Sequence, residues 1–321
     1  MTQILRMPQR ARRAGELGVH SVDTFNFMVP DLKLAQKFYG DFGLDVREAG
    51  NGLDLFTHGH EHRWGHISEG SAKRFNFISF GAFPEDFEPL RARLRQFDVP
   101  QIDPPAGFES NGIWFRDPDG TLIEIRVAEK SSPDEKSVVF NASSPPGVQG
   151  SHARSKAWQV RPRRLAHILI FITDISRAIR FYENVVGLRL SDRSGEGVAF
   201  MHGIHGSDHH MVAFAKSDGP GLHHLSWDVG SFHEVGLGAM QMADRGFSRG
   251  WGVGRHVLGS NYFHYVRDPW GSYAEYSSDI DYIPHDFDWP SADHDGHDAF
   301  YVWGPNPPQD FIHNYETNPA A

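Results

Sequence analysis

The sequence predicts an α+β fold of two tandem domains, each built from paired βαβββ modules whose strands form a cupped sheet around a central cavity. Three observations carry that expectation. First, the chain repeats itself: GIWFRDPDGTLIEI, Gly112 to Ile125, and GSNYFHYVRDPWGSYAEY, Gly259 to Tyr276, share Arg-Asp-Pro-x-Gly and then a glutamate at the same distance. Second, Asp31-Leu32, Ala35 and Phe38-Tyr39 return as Asp174-Ile175, Ala178 and Phe181-Tyr182. Third, the apolar pattern of each half reads as strand, helix and then several strands. A length of 321 residues suits two domains.

Val22 to Val29 is apolar and β-rich, Leu32 to Phe42 has helical spacing, and Leu53 to Phe56, Phe75 to Phe80 and Ile113 to Phe115 read as strands. In the second half Ala166 to Ile172 is a strand and Ser176 to Val186 a helix. Val198 to Met201, Met211 to Ala215, Leu222 to Val229 and Tyr262 to Val266 are strands, and Phe232 to Gly246 is a helix. Lys130 to Lys156 is rich in Ser, Pro, Gly and charge, which suits a connection. The expected organisation is an N-terminal arm over 1–16, a first domain over 17–129, a linker over 130–160, a second domain over 161–281 and a tail over 282–321. The tail carries Pro284, Pro290, Pro305, Pro307 and Pro308 among aromatics. It is too apolar to be free and too broken for a regular element, so it is expected to lie across the second domain.

Composition narrows the function. There is no cysteine, so disulfides and thiolate metal sites are excluded, and any metal must be held by His, Asp or Glu. A net charge of −10, with a basic run only at Arg6 to Arg13, argues against nucleic acid. That run reads as a solvated arm. No apolar stretch approaches the ~20 residues of a membrane helix, and the expectation is a soluble, cytosolic protein without membrane partners. The Gly-rich run Gly250 to Gly259 lacks the order of a phosphate cradle. Most of the 20 histidines are expected at the surface, including His58, His60, His62 and His66 in a loop-like stretch.

The duplication, the Arg-Asp-Pro-x-Gly ending and the spacing of the second half's His and Glu residues resemble the type I extradiol ring-cleavage dioxygenases of the vicinal oxygen chelate superfamily, from about Gly18 to Asp281. The resemblance implies two tandem vicinal-oxygen-chelate domains, the second catalytic. It implies metal ligands at His167 in LAHILIF, His224 in GLHHLSW and Glu275 in SYAEY. Two imidazoles and a carboxylate on one face of an octahedron leave three positions open, which suits Fe(II), with Mn(II) as the alternative. In the repeat His167 aligns with Thr24 and His224 with Phe77, and Glu124 alone matches a ligand, so the first domain is expected to hold no metal. His223, beside His224, should face away, because neighbours on a strand point to opposite faces.

The same resemblance places His210 where the family keeps a histidine that handles protons, and His256 and Tyr265 where a pair contacts the substrate's oxygens. It implies a catecholic substrate with O2 as co-substrate, and a homo-oligomer. Trp251 stands where enzymes for carboxylated substrates often have arginine, which favours an uncharged catechol, with Arg249 and Arg255 able to reverse that reading. Trp303 to Phe311 resembles a segment that covers the pocket. A glyoxalase-like metal isomerase and a non-catalytic ligand-binding protein of the same fold are the competing expectations.

Overall fold

The structure, a computed structural model, describes residues 11–140 and 143–317. The first domain runs β1 (Ser21–Val29), α1 (Leu32–Phe42), β2 (Asp45–Ala49), β3 (Gly52–Phe56), β4 (Gly65–Glu69), β5 (Arg74–Ala82), α2 (Pro84–Gln96), β6 (Ile113–Arg116) and β7 (Leu122–Val127). The second runs β8 (Arg164–Ile172), α3 (Ile175–Phe181) with a π turn over Tyr182–Val186, β9 (Leu188–Ser194), β10 (Val198–Gly203), β11 (Ser207–Asp208), β12 (Val212–Lys216), β13 (Gly221–Asp228), α4 (Phe232–Asp244), β14 (Gly250–His256), β15 (Tyr262–Arg267) and β16 (Tyr273–Ser278). Between them the described residues hold one short 3-10 turn, Arg154–Lys156.

The repeated landmarks are local structural devices. Asp31 caps α1, its Oδ1 accepting from Leu34 N at 2.9 Å, and Asp174 caps α3 by accepting from Arg177 N at 2.7 Å. In Arg-Asp-Pro-x-Gly the aspartate organises the turn between the last two strands. Asp117 accepts from the amides of Asp119 and Thr121, and Asp268 from those of Trp270 and Ser272. Glycine matters where the halves meet. A Cβ on Gly18 would lie 2.6 Å from Gly187 O, and Gly187, at φ +86°, closes the π turn.

The first sheet has strand order β2-β3-β4-β1-β5-β7-β6. At its centre β1 pairs antiparallel with β5, and each pairs parallel on its outer side, with β4 and β7. The second sheet repeats this around β8 and β13. A single apolar cluster spans both halves. Phe42 stacks on Tyr276 at 3.9 Å, and the Tyr276 hydroxyl donates to Phe42 O at 2.7 Å.

Three expectations change. The tail is regular in part: β17 (Tyr282–Ile283), β18 (Ala292–Asp293) and β19 (Tyr301–Trp303) pair with β11, β9 and β14, so the tail occupies both edges of the second sheet. Residues 1–10 lie outside the described residues, but the rest of the basic arm is tied down by Arg12 to Asp86 at 2.8 Å and Arg13 to Asp288 at 2.6 Å. His66 sits in β4, and many histidines are internal.

Burial pushes His20 and His202 down to about 3 and His205 to about 4. The unfolded chain, with histidines near 6.5, takes up protons below that pH that the fold refuses. Stability is therefore complete above pH ~6.5 and falls as pH drops towards ~4, by up to ~1.4 kcal/mol per pH unit for each such histidine. Urea unfolding at pH 7.5, 6 and 5 should show midpoints falling steadily. A flat series would place these rings in contact with water.

Candidate metal centre

Register builds the site. Ser226 on β13 pairs with His167 on β8 and with Glu275 on β16, and Tyr265 on β15 pairs with Glu275. His167, Ser226, Glu275 and Tyr265 thus form one row across four strands. Residues in register share a face, and His224, two residues before Ser226, joins it. His167 Nε2 lies 3.1 Å from His224 Nε2 and 3.2 Å from Glu275 Oε2, and His224 Nε2 lies 3.6 Å from that same oxygen. Ligands at ~2.1 Å in adjacent octahedral positions stand about 3 Å apart, so the spacing fits three ligands on one face of a metal.

All three side chains are buried. Glu275 Oε1 accepts from Asn261 Nδ2 at 3.1 Å, but Oε2 has no hydrogen-bond partner among the described residues. A buried carboxylate oxygen facing two imidazole nitrogens is costly unless a cation fills the gap. Burial pushes the Glu275 carboxyl up, and the His167 and His256 imidazoles outweigh it, leaving the group below the ordinary carboxylate range. Burial, reinforced by neighbouring imidazoles, holds His224 well below the usual histidine range, in the neutral form a metal needs.

The first domain supplies the contrast. Its equivalent row is Thr24, Ser79, Glu124 and Trp114, with Phe77 at the place of His224. Glu124 spends its oxygens internally, Oε2 accepting from Ser79 Oγ at 2.6 Å and Oε1 from Ser110 Oγ. No imidazole of that row is there to share a metal.

An apolar cavity of about 230 Å³ is lined by His167 and His224 of the candidate triad, with Glu275 fully buried. On one side, Tyr265 Oη and His256 Nε2 are 2.9 Å apart, and His256 Nδ1 donates to Phe300 O at 2.8 Å. A carbonyl only accepts, so the proton sits on Nδ1, and Nε2 accepts from Tyr265. Burial, with Glu275 nearby, keeps the phenol protonated well above its ordinary value. On the other side the His210 ring lies 4.0 Å from that of His167. Burial, then repulsion from His167 and its neighbours, holds His210 well below the usual histidine range.

His223 departs from expectation. A bulge between Leu222 and His224 breaks the alternation of β13, and both imidazoles reach the cavity wall. His223 nonetheless makes supporting hydrogen bonds: Nε2 donates to Phe311 O at 2.8 Å and Nδ1 lies 2.7 Å from His224 Nδ1. With the Nε2 proton committed to a carbonyl, a neutral His223 accepts from His224 Nδ1–H. That leaves His224 Nε2 bare towards the metal position.

Trp251 does not line the cavity. It lies behind Tyr265, the rings stacked at 5.5 Å, with Nε1 donating to Pro305 O at 2.7 Å. Arg255 is held by the Tyr262 hydroxyl at 2.6 Å, and Arg249 faces a separate groove. The tail covers the cavity through Ala299, Phe300, Phe311 and Ile312, while Trp303 stands on the outer edge. Asn261 escaped sequence reasoning, because a polar residue before a strand carries no signal of what it will bond.

A sequence profile described as the Glyoxalase/Bleomycin resistance protein/Dioxygenase superfamily matches residues 21–125 and 164–276. The chain is 45% identical to metapyrocatechase 2 of Cupriavidus necator over 298 residues, 93% of either chain. The solved Mn(II)-bound glyoxalase of Novosphingobium aromaticivorans aligns at TM-score 0.72 and 25% identity over 91% of this chain and 93% of its own. An extradiol ring-cleaving dioxygenase of B. fuscum has the same fold, with TM-score 0.74 and 20% identity over 94% of this chain and 84% of its own. A matched unit in each half, and near half identity along almost the whole length, place the chain in the Glyoxalase/Bleomycin resistance protein/Dioxygenase superfamily, among its extradiol ring-cleavage dioxygenases.

Proposed function

We propose that the chain is an Fe(II)-dependent extradiol dioxygenase, with Mn(II) the alternative metal, that uses O2 to open the ring of an uncharged catechol outside its two hydroxyls. The observation that carries this reading is the one-face triad of His167, His224 and Glu275 beneath an apolar cavity, flanked by His210 on one side and the His256–Tyr265 pair on the other. A metal held there supplies acidity to a bound diol and the electron transfer that dioxygen chemistry requires. His256 and Tyr265 would hold the diol oxygens, with the carbonyl of Phe300 fixing the direction of their hydrogen bonds. His210, across the cavity, would take and return protons.

The case for an uncharged substrate rests on the lining. Away from the metal side the wall is Leu169, Val198, Phe200, Leu258, Phe300 and Phe311, and among the described residues no Lys or Arg lines the cavity. A carboxylate placed there would lose its water without a partner. Alkyl or aryl substituents fit this wall by burying apolar area.

A glyoxalase-like isomerase draws support from the Mn(II)-bound likeness. It is the weaker reading, because such enzymes usually carry more carboxylate among their ligands, whereas among the described residues one carboxylate joins two histidines. The protein reconstituted anaerobically with Fe(II) and mixed with catechol or 3-methylcatechol should consume one O2 per diol and form a yellow ring-opened product. Isomerisation without oxygen uptake, or cleavage between the hydroxyls, would overturn the proposal.

A further inference from the structure

Behind His210 stands a second pair of adjacent histidines, bonded as His223 and His224 are but anchored on a charge. Asp192, buried on β9, accepts from His209 Nε2 at 2.8 Å and Trp289 Nε1 at 3.2 Å through Oδ2, and from Ala292 N at 3.0 Å and His294 Nε2 at 2.8 Å through Oδ1. Burial pushes this carboxyl up, but the hydrogen bonds from His209 and His294 outweigh it and hold it below its ordinary value. Asp192 is therefore an ionised acceptor with no proton to give. His209 is buried, and its Nδ1 lies 3.0 Å from His210 Nδ1.

A bond between two ring nitrogens contains one proton, and the anchor decides whose it is. His209 has committed its Nε2 proton to Asp192, so in the neutral ring Nδ1 is bare and the shared proton belongs to His210 Nδ1. His210 then has a bare Nε2. That nitrogen has no hydrogen bond among the described residues, and the ring lines the cavity beside His167.

We propose that Asp192 and His209 are positioning residues that hold His210 in the tautomer protonated on Nδ1, so that its Nε2 lone pair faces the metal cavity. The tautomer itself depends only on the hydrogen-bond chain. Its use in turnover rests on the dioxygenase reading above: an Nε2 lone pair accepts the proton of a diol hydroxyl, the O–H bond breaking, the oxygen keeping the electron pair and the new N–H forming on His210. The opposite tautomer would turn an N–H towards the cavity and could not accept. The residues doing this come from distant parts of the chain: Asp192 from β9, the histidines from the segment before β12, and His294 and Trp289 from the tail.

The test separates tautomer from turnover. Two-bond ¹⁵N–¹H correlation spectra of the full chain, labelled at histidine and loaded with diamagnetic Zn(II), report which nitrogen of each ring bears hydrogen, and the His210 signals are assigned by their loss in His210→Phe. Wild type should show a bare Nε2 on His210. His209→Phe, which removes the acceptor, should give mixed tautomers and lower kcat of the Fe(II) enzyme by ~10–100-fold, with KM and metal content within about twofold. His209→Asn puts a carbonyl oxygen close to the position of Nδ1 and should recover both signals, and Asp192→Asn, nearly isosteric, should partly release them. A hydrogen on His210 Nε2 in wild type, or a tautomer unchanged in His209→Phe, would overturn the proposal. Because the spectra need no substrate, they stand even if catechol proves not to be turned over, which would sink only the dioxygenase reading.

Discussion

His167→Ala, His224→Ala and Glu275→Gln should each strip the protein of its metal and abolish turnover while the fold survives. Each removes a third of a ligand set whose donor atoms lie within 4.8 Å of one another, and the remaining two cannot replace it. Any free energy gained by relieving the cluster of buried imidazoles and carboxylate is set against the loss of coordination, which dominates. Glu275→Gln is the most diagnostic, because the amide keeps the hydrogen-bonding shape but withdraws the charge that offsets the cation. Elemental analysis should fall from about one metal per chain to less than roughly a tenth, with an unchanged far-ultraviolet dichroism spectrum. Glu124→Gln in the first domain is the matching control. Among the described residues its carboxylate accepts from Ser79 and Ser110, so metal and kcat should stay, with a stability loss of about 1 kcal/mol. Metal retained by a triad variant, or lost from Glu124→Gln, would show that the two halves have been matched wrongly.

His210→Phe should have the opposite profile, with full metal content and catechol binding but kcat lower by ~10²–10⁴-fold, the ordinary worth of a positioned acid or base. Phenylalanine fills similar volume against Phe200 and His167, so the cavity keeps its wall and loses the Nε2 that faces it, together with the Nδ1 bond to His209. Stopped-flow spectra should show normal substrate binding followed by a slowed chemical step. Metal loss in this variant would make His210 a ligand, and an unaltered kcat would remove it from the chemistry.

What could be read in the sequence was local. The capping aspartates and the turn of Arg-Asp-Pro-x-Gly satisfy backbone groups a few residues away, so the same chemistry recurs in both halves as the same letters. The ligands became legible because one half keeps imidazoles where the other has Thr24 and Phe77. The strands β2, β9 and β14 were missed because they are polar or Gly-rich. The helix α2 was missed because its face is mostly charged, with Leu90 and Leu94 its buried apolar anchors. In the site, His223 escaped because a bulge overrides alternation. The bond from His209 to Asp192 joins strands that no spacing rule connects.

The tail has one further consequence. Phe300 and Phe311 wall the cavity with their side chains, while their carbonyls hold His256 and His223. Any displacement of this stretch of chain would remove, at the same time, the two acceptors that dictate which nitrogens are bare. The tail therefore ties the wall of the cavity to the protonation pattern behind it: a molecule that packs against Phe300 and Phe311 also steadies the carbonyls that orient His256 and His223.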